Sequence, residues 1–375
     1  MRSHEQALEA LAHRGRLRSL ALRQGTDFTS NDYLALGDSD ALRQAAFAAL
    51  ARGVPVGAGG SRLLRGNHEE HEALEEEASR FFRAESALFF GGGFAANAAL
   101  VSTLPRRGDL VVSDALIHAS VHDGLRGASV ETSATPHNDA GAVEDAIRQW
   151  RAKGGKGQPW IVAETLYSMD GDVAPLDALM AVADRHDAML IFDEAHATGV
   201  YGPQGRGLAA AYEGRANVVS LHTCGKALGA MGAIVCLPRI LRDYMVNRAR
   251  GFIYATAPSP LLAAIVRDAL RISAGADDRR ARLMTLIAHA GKALRAIGWP
   301  PSGSQIQPII VGGDRRATTL ASALQARGFD VRAIRPPTVP EGTARLRIAL
   351  TLHANEAIVD ALVAALEEET ARQPA

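Results

Sequence analysis

The feature that most constrains the fold is the alternation of apolar strand patterns with helical patterns along the first two thirds of the chain. The helical pattern at 176–186 is typical, because Leu176, Met180 and Ala183 share one face. Alternating strands and helices predict an α/β domain built on a mostly parallel sheet. The predicted strands are 86–90, 109–113, 159–164, 188–194, 218–222 and 232–236.

The rest of the chain predicts a smaller α+β domain. A long helical pattern runs from Pro260 to about Ile297, and apolar strand patterns follow at 307–311 and 344–350, with a helix at 317–327 between them. We therefore predict an N-terminal segment over residues 1–40, a large domain over 41–260 and a small C-terminal domain over 261–375. The first residues predict an amphipathic surface helix.

Charge and cysteine content exclude several classes of partner. Lys plus Arg and Asp plus Glu both number 41, so nothing favours nucleic acid or an anionic membrane. Glycines and Asn97 interrupt the longest uncharged run, 87–104, which predicts a strand, a loop and a helix. Cys224 and Cys236 are too few for a disulfide framework or a four-cysteine zinc site. We expect a cytoplasmic protein without metal.

Polar or glycine-rich residues follow several predicted strands. In an open α/β sheet, ligands bind outside the carboxyl ends of the strands, so these residues predict one shared site. They are Gly91 to Phe94 after 86–90, Glu164 and Ser168 after 159–164, Asp193 and His196 after 188–192, and Thr223 and Lys226 after 218–222.

Lys226 carries the strongest local signal. It stands among small and apolar residues in HTCGKALGAMG (222–232), where a buried ammonium group would be costly. Lysines in such surroundings form Schiff bases, although an exposed loop lysine is the alternative. Asp193 can pair with the protonated ring nitrogen of pyridoxal 5′-phosphate (PLP), and His196 can hydrogen-bond its phenolic oxygen. A simple turn histidine is the alternative for His196.

Other motifs are weaker. The glycine triplet is neither a GxGxxG fingerprint nor a P-loop, so a dinucleotide site, an ATP site and a helicase function for DEAH (193–196) are all disfavoured. His68 and His71 are three residues apart, rather than the four of HExxH. We interpret them as part of a solvated helix face that begins with Asn67 as N-cap.

The chain resembles the α-oxoamine synthases, which are PLP enzymes of fold type I, along nearly its whole length. The resemblance implies a large domain with a mostly parallel seven-stranded sheet. The segment AIRPPTVP (333–340) resembles the corresponding segment of the family branch that joins a pimeloyl thioester to L-alanine. The motifs are FTSNDYLALG (28–37), GAGGSRLLRGN (57–67), GGFAANAAL (92–100), LIHAS (116–120), ETLYSMDGDVAPL (164–176), DEAHATGVYGPQGRG (193–207), TCGKALG (223–229) and AIRPPTVPEGTARLRIAL (333–350).

The resemblance also implies roles for individual residues. Lys226 carries the cofactor and moves a proton, Asp193 pairs with the pyridine nitrogen, and His118 stacks on the ring. His196 contacts the ring hydroxyl, and the phosphate is held by Gly93, Phe94, Ser168 and Thr223, while Thr256 reaches the partner subunit's phosphate. The alanine carboxylate is bound by Asn31 and Arg347, with Arg345 as the alternative to Arg347. Arg18 contacts the pimeloyl end.

The implied reaction is a decarboxylative condensation of L-alanine with pimeloyl-CoA or pimeloyl-acyl carrier protein, in biotin synthesis, by a homodimer. Cys224 and Ala255-Thr256-Ala257 depart from the family pattern, which often has phenylalanine and Ser-Thr-Ser. The alternatives are a glycine-using synthase of the same family, an ordinary aminotransferase of the same fold and a non-catalytic protein on a PLP scaffold.

Overall fold

The computed structural model describes residues 1–372. Its α-helices are α1 (Arg2–His13), α2 (Asp40–Ala51), α3 (Glu69–Phe82), α4 (Gly93–Thr103), α5 (Ala119–Arg126), α6 (Ala140–Ala152), α7 (Leu176–His186), α8 (Arg239–Arg248), α9 (Arg250–Ile253), α10 (Pro260–Ala274), α11 (Asp277–Ala296), α12 (Asp314–Ala326) and α13 (Glu356–Arg372). Its β-strands are β1 (Thr26–Asp27), β2 (Ser86–Phe90), β3 (Leu110–Asp114), β4 (Glu131–Thr135), β5 (Pro159–Glu164), β6 (Met189–Asp193), β7 (Val218–Thr223), β8 (Ala233–Leu237), β9 (Ile306–Gly312), β10 (Phe329–Asp330), β11 (Arg332–Ile334) and β12 (Ala344–Ala349).

The main sheet has seven strands in the order β2-β8-β7-β6-β5-β3-β4. Only β8 runs against its neighbours, because it pairs antiparallel with both β2 and β7 while the other pairs are parallel. This confirms the predicted seven-stranded, mostly parallel sheet.

Both faces of the sheet are covered, which explains why its strands read as continuous apolar runs. Successive side chains of a strand point to opposite faces. Val111 packs in the core that α4, α5, α8 and α9 cover, whereas Leu110 and Val112 pack in the core under α6 and α7. Full burial of one such side chain contributes about 1.5–3 kcal/mol.

The structure differs from the predicted secondary structure at β4 and after Pro260. Strand β4 (ETSAT) was not predicted, because it is a largely exposed edge strand without an apolar run. The single long helical pattern after Pro260 is two helices: α10 ends at Ala274 with Gly275 as its C-cap, and α11 begins at Asp277. Glycine ends the first helix, and two aspartates favour the N-terminus of the second.

The chain divides into two compact units. The large unit comprises residues 34–167 and 173–280 and contains the seven-stranded sheet. The small unit comprises residues 1–33, 168–172 and 281 to the C-terminus. It holds the antiparallel sheet β11-β12-β9 and the parallel pair β1-β10, so it is an α+β unit. The sequence-based domain boundaries at 41 and 260 stay predictions.

The N-terminal helix α1 has no buried residue, as a surface helix should. The uncharged run 87–104 forms most of β2, a turn and α4. Within residues 1–372, no helix combines the length and the apolar character needed to cross a membrane.

Candidate active site

A cavity of about 300 Å³ opens at the carboxyl ends of the parallel strands, within the large unit. It brings together seven residues to which the sequence analysis gave a specific role: Gly93, Phe94, His118, Asp193, His196, Thr223 and Lys226. The remaining lining residues are Gly91, Gly92, Asn97, Glu164, Ala195, Gly225, Met231 and Gly232. Residues from the four predicted strand ends therefore lie around one cavity.

Lys226 lies in the turn that joins β7 to β8, and its Nζ atom is 2.9 Å from Nε2 of His196. Backbone hydrogen bonds close the turn, from Cys224 N to Gly232 O and from Ala230 N to Cys224 O, both at 2.9 Å. Lys226 is partly buried. A closed turn fixes the direction of a long lysine side chain, and this one is directed at a histidine of the neighbouring strand end.

Asp193 is a buried carboxylate at the end of β6. Its Oδ2 accepts a hydrogen bond from Nδ2 of Asn97 at 2.6 Å, and its Oδ1 accepts one from the backbone N–H of Ala195 at 2.8 Å. Among residues 1–372, no Lys or Arg side chain forms an ion pair with it. Because a buried charge is costly without a counter-charge, a cationic group such as a protonated pyridine nitrogen fits beside it.

His118 is the N-cap of α5 and is partly buried at the cavity wall. Its Nδ1 atom is 2.7 Å from the Ser120 hydroxyl. Burial lowers the pKa of His118, and Lys226 lowers it further, while Asp193 opposes the shift. The imidazole is therefore neutral at pH 7, which suits a ring that stacks on an aromatic cofactor.

The glycine-rich turn leads into the N-terminus of α4, whose first backbone N–H groups have no partner within the helix. A Cβ on Gly93 would lie 2.6 Å from the Cγ2 methyl of Thr223, so only glycine allows this approach. A helix N-terminus of this kind binds phosphate. Together with Asp193 and Lys226, this cradle fits PLP.

Two predicted phosphate ligands do not line the cavity. Ser168 belongs to the small unit, where it is buried and its carbonyl oxygen accepts a hydrogen bond from Nε of Arg347 at 2.6 Å. Thr256 is exposed in the segment that follows α9. Their proposed contacts stay predictions.

Within the small unit, β12 carries Arg345 and Arg347, and their side chains have different partners. Arg345 forms an ion pair with Asp170 at 2.5 Å. Arg347 donates to Oδ1 of Asn31 at 3.0 Å and to the Ser168 carbonyl, and no carboxylate of residues 1–372 pairs with it. Arg347 is therefore a buried cation that can still accept an anionic ligand.

Arg18 is exposed in the small unit, in the segment after α1. Its Nη2 atom lies 3.4 Å from the hydroxyl of Thr338, within the AIRPPTVP segment. The structure thus places Arg18 beside the segment that most resembles the pimeloyl-using branch. The predicted contact with the pimeloyl end stays a prediction.

Two residues of the cavity wall received no role in the sequence analysis. Asn97 was noted only as an interruption of an apolar run, yet it holds Asp193. Its position one helical turn after Gly93 would have placed it on the cavity side of α4. Glu164 was noted as a strand-end residue but given no role, and it is buried in the cavity wall.

The interpretation of His68 and His71 as a solvated helix face was wrong. The N-cap of α3 is His68 rather than Asn67, and its Nδ1 accepts a hydrogen bond from Glu70 N. His71 is fully buried, its Nδ1 accepts from His68 N at 3.1 Å, and its Nε2 lies 2.7 Å from the Pro258 carbonyl. His68 therefore caps α3, and His71 ties the start of α3 to the segment before α10.

Comparison with known proteins identifies the family. The sequence model of aminotransferase class I and II matches residues 23–366. The chain is 43% identical over 351 residues to an 8-amino-7-oxononanoate synthase of Gluconacetobacter diazotrophicus, which covers 91% of this chain and 87% of that protein. The match to the corresponding synthase of Burkholderia thailandensis is 42% identical over 353 residues, or 92% and 88% of the two chains. The chain belongs to the 8-amino-7-oxononanoate synthase family.

Solved structures have the same fold. A serine palmitoyltransferase from S. paucimobilis superposes with a TM-score of 0.89 at 25% identity, over 99% of this chain and 97% of that one. An 8-amino-7-oxononanoate synthase from Francisella tularensis gives 0.79 at 27% identity, over 93% and 98%. Members of the 8-amino-7-oxononanoate synthase family are PLP-dependent transferases of biotin synthesis, so PLP is the cofactor of this enzyme.

Proposed function

We propose that the enzyme condenses L-alanine with a pimeloyl thioester and releases CO2 and the free thiol, giving 8-amino-7-oxononanoate. One observation carries the proposal. In a chain that is 43% identical to a synthase of this name, Lys226, His196, Asp193 and His118 line one cavity beside the N-terminus of α4. The function of an ordinary aminotransferase or of a binding protein is less consistent with that degree of sequence identity.

Bound PLP would supply an electron sink for the negative charge that develops at the alanine Cα. Lys226 would hold the cofactor and then take the Cα proton on its Nζ atom. Asp193 would keep the pyridine nitrogen protonated, in a position that Asn97 fixes. His118 would stack on the ring and His196 would contact its hydroxyl.

The phosphate would be held by the N–H groups of Gly93 and Phe94 and by the hydroxyl of Thr223. Ser168 and the partner subunit's Thr256 are proposed as further phosphate ligands on the family resemblance. A homodimer follows from the same resemblance. Large exposed apolar side chains of the large unit suit such an interface, for example Phe47, Val56, Leu64, Met231 and Tyr254. A cytoplasmic location stays a prediction.

Arg347 is our choice for the alanine carboxylate, together with Asn31. Arg345 is already neutralised by Asp170, whereas Arg347 has only neutral partners among residues 1–372. A guanidinium group binds a carboxylate through two parallel hydrogen bonds, which fixes orientation as well as charge. Arg18, beside Thr338, is the proposed contact for the pimeloyl end.

A glycine-using synthase of the same family is the second candidate, because the fold is shared with synthases of other substrates. The test is an absorbance spectrum of the PLP-loaded enzyme before and after L-alanine, with glycine in parallel, and then a product assay with pimeloyl-CoA. We expect a visible band that L-alanine changes, and product formed from L-alanine but not from glycine. Absence of a visible band after PLP loading, or a preference for glycine, would contradict the proposal.

A further inference from the structure

A chain of buried hydrogen bonds leads through the DEAH turn (193–196) to Asp193. Oδ1 of Asp193 accepts a hydrogen bond from the backbone N–H of Ala195 at 2.8 Å. The carbonyl oxygen of the same peptide group belongs to Glu194, and it accepts a hydrogen bond from the hydroxyl of Thr198 at 2.9 Å. Both Glu194 and Thr198 are buried. A single peptide group therefore connects the Thr198 hydroxyl to the Asp193 carboxylate.

His222 and Glu213 lie at the other end of this chain, and we call them the buried pair. Nδ1 of His222 is 2.8 Å from the Thr198 hydroxyl, and Nε2 of His222 is 3.1 Å from Oε1 of Glu213. The hydroxyl of Ser220 lies between the two, at 2.5 Å from Oε1 of Glu213 and 2.9 Å from Nε2 of His222. The side chains of the pair are 0% and 3% exposed, so water does not compete for these hydrogen bonds.

The hydrogen-bonding capacities of these groups fix the number of protons on the buried pair. A carbonyl oxygen can only accept, so the Thr198 hydroxyl donates to Glu194 and accepts from Nδ1–H of His222. On the other side, the hydroxyl of Ser220 has one hydrogen for two neighbours. Without a further proton on Nε2 of His222 or on Glu213, two lone pairs would face each other at one of these short distances. The pair therefore shares one proton and has no net charge.

Other titratable groups lie around the buried pair. Burial raises the pKa of the Glu194 carboxyl to about 8, and Glu213 acts in the same direction, so Glu194 is neutral at neutral pH. Burial also raises the pKa of the Cys236 thiol, which is therefore neutral as well. Burial and the neighbouring Arg83 lower the pKa of Arg206, while Glu213 opposes that shift. At neutral pH, Glu213 therefore interacts with the cation of Arg206 in addition to the imidazole of the pair.

We propose that the buried pair positions Asp193 and sets the strength of its hydrogen bond to the pyridine nitrogen of PLP. This inference rests on the proposed function, because the contact of Asp193 with that nitrogen is part of it. Hydrogen bonds in a protein interior polarise one another, so the charge of the pair affects the far end of the chain. The pair reaches Asp193 through Thr198 and one peptide group. His222 and Glu213 are therefore positioning residues rather than catalytic ones.

The experiment measures the NMR resonance of the pyridine nitrogen in enzyme loaded with ¹⁵N-labelled PLP. His222→Gln removes the imidazole and leaves the Glu213 carboxylate, whose negative charge should move the resonance toward that of a protonated pyridine. Glu213→Gln leaves the imidazolium group, whose positive charge should move the resonance toward that of a neutral pyridine. Opposite directions are the expected result, because a general loosening of the turn would move both variants the same way.

The matched control is a second pair of a histidine and a glutamate in the large unit. Nε2 of His186 is 3.0 Å from Oε1 of Glu144, and this contact joins α7 to α6. Helix α7 ends at His186, before β6 begins, whereas Asp193 lies at the far end of that strand. We expect the variants of the buried pair to move the resonance at least about threefold further than His186→Gln and Glu144→Gln do.

Thr198→Val tests the chain of hydrogen bonds without changing the buried pair. It removes the hydroxyl that links His222 to the Glu194 carbonyl, so in this background His222→Gln should move the resonance no further than the controls do. Thr198→Val alone should also move the resonance, which keeps the test valid if a variant of the pair fails to fold. NMR of cofactor-free enzyme with ¹⁵N-labelled histidine tests the proton directly, because Nδ1 of His222 should carry a hydrogen at neutral pH.

Several results would overturn the inference: shifts in the same direction for both variants of the buried pair, shifts no larger than those of the controls, an effect of His222→Gln that persists beside Thr198→Val, or an Nδ1 of His222 without a hydrogen. The measurement needs no substrate, so it does not depend on which amino acid or thioester the enzyme uses. Asp193→Asn separates the two proposals. If it moves the resonance and the pair variants do not, only this inference fails. If it leaves the resonance unchanged, the proposed role of Asp193 fails, and the inference with it.

Discussion

Arg345 and Arg347 show how the partners of a side chain decide its role. They are two residues apart on β12, and both are buried. Only Arg345 has a carboxylate partner, Asp170. Burial of a cation without a counter-ion costs folding free energy, so Arg347 serves a purpose other than stability.

We predict that Arg347→Lys raises KM for L-alanine about 10- to 100-fold, because an ammonium group cannot form the paired hydrogen bonds of a guanidinium group. Steady-state kinetics at saturating thioester measures this. Arg345→Lys is the matched control, since lysine can keep the ion pair with Asp170, and KM should change less than about threefold. The opposite ranking of the two variants would assign the carboxylate to Arg345.

Asn97 acts on the chemistry through Asp193, so we describe it as a positioning residue. Asn97→Ala removes the 2.6 Å hydrogen bond to Asp193 and should lower kcat about tenfold. KM for L-alanine should change little. The rate of solvent exchange of the alanine Cα proton should fall by the same factor, which a purely structural role would not require. Asp193→Asn should slow that exchange far more. Unchanged exchange in Asn97→Ala would refute the role.

The pKa of His118 gives a pH prediction. Its folded-state pKa is lowered by burial from the usual 6.5, so the folded protein binds this proton less readily than the unfolded chain does. The contribution of His118 to the free energy of unfolding is therefore fully present above about pH 6.5 and is lost as the pH falls below that value. Urea unfolding of the cofactor-free enzyme at several pH values should show this loss, and His118→Phe should reduce it. An NMR midpoint for His118 above 6.5 would contradict the assignment.

These residues also mark what the sequence could reveal. Lys226, Asp193, His196 and Thr223 were predicted because each lies at, or three residues after, the end of an apolar strand. Asn97 was not, because its function depends on a contact across 96 positions of the chain. The choice between Arg345 and Arg347 had the same limit, since Asp170 and Ser168 are distant in sequence.

At the scale of elements, a buried polar network joins β7 to the DEAH turn. His222 is fully buried and stacks on Phe82, with the ring centroids 3.6 Å apart. Its Nδ1 lies 2.8 Å from the hydroxyl of Thr198, and its Nε2 lies 3.1 Å from a carboxylate oxygen of Glu213. Thr198 follows His196 by two residues, so the network braces the turn that carries His196.

We predict that Glu213→Ala lowers the free energy of unfolding by about 1–3 kcal/mol, because it leaves buried polar partners without their acceptor. Glu76→Ala is the control. It breaks an exposed pair with Arg80 and should cost about 0.3–0.5 kcal/mol. Urea denaturation of the PLP-loaded enzyme measures both. Equal losses in the two variants would mean that the network does not brace the fold.

The sequence predicted the strands that are stabilised by their own apolar side chains, and it missed the strand that is stabilised by pairing. Strands β2 and β5 match the predicted ranges because their apolar runs fill a core on both faces of the sheet. Strand β4 is held by pairing to β3 rather than by its own side chains, so its sequence ETSAT carries no strand pattern. His71 looked solvated because its neighbours are glutamates, although its ring bonds to Pro258, which is far along the chain.

At the scale of the whole molecule, a formal net charge of zero conceals an uneven distribution. Nothing in the sequence pattern predicts a basic patch, because the exposed arginines that line one hollow of the large unit come from two separate stretches, Arg106 with Arg107 and Arg248 with Arg250. Because the net charge is zero, long-range attraction of an anionic substrate must come from local clusters of positive charge. Such attraction between exposed charges weakens as salt shortens the Debye length to about 10 Å at 0.1 M and about 3 Å at 1 M.

We therefore predict that raising the ionic strength from about 0.05 to about 0.5 M increases KM for pimeloyl-CoA several-fold more than KM for L-alanine. Arg106, Arg107, Arg248 and Arg250 are exposed, so salt screens their charges well, whereas Arg347, the proposed alanine contact, is buried and screened less. Steady-state kinetics in a potassium chloride series measures both constants. Replacing Arg248 and Arg250 by glutamine should flatten the salt dependence of the thioester KM, while the Arg148→Gln and Lys153→Gln control should retain it. Parallel salt dependences for the two substrates would show that the arginines do not attract the thioester.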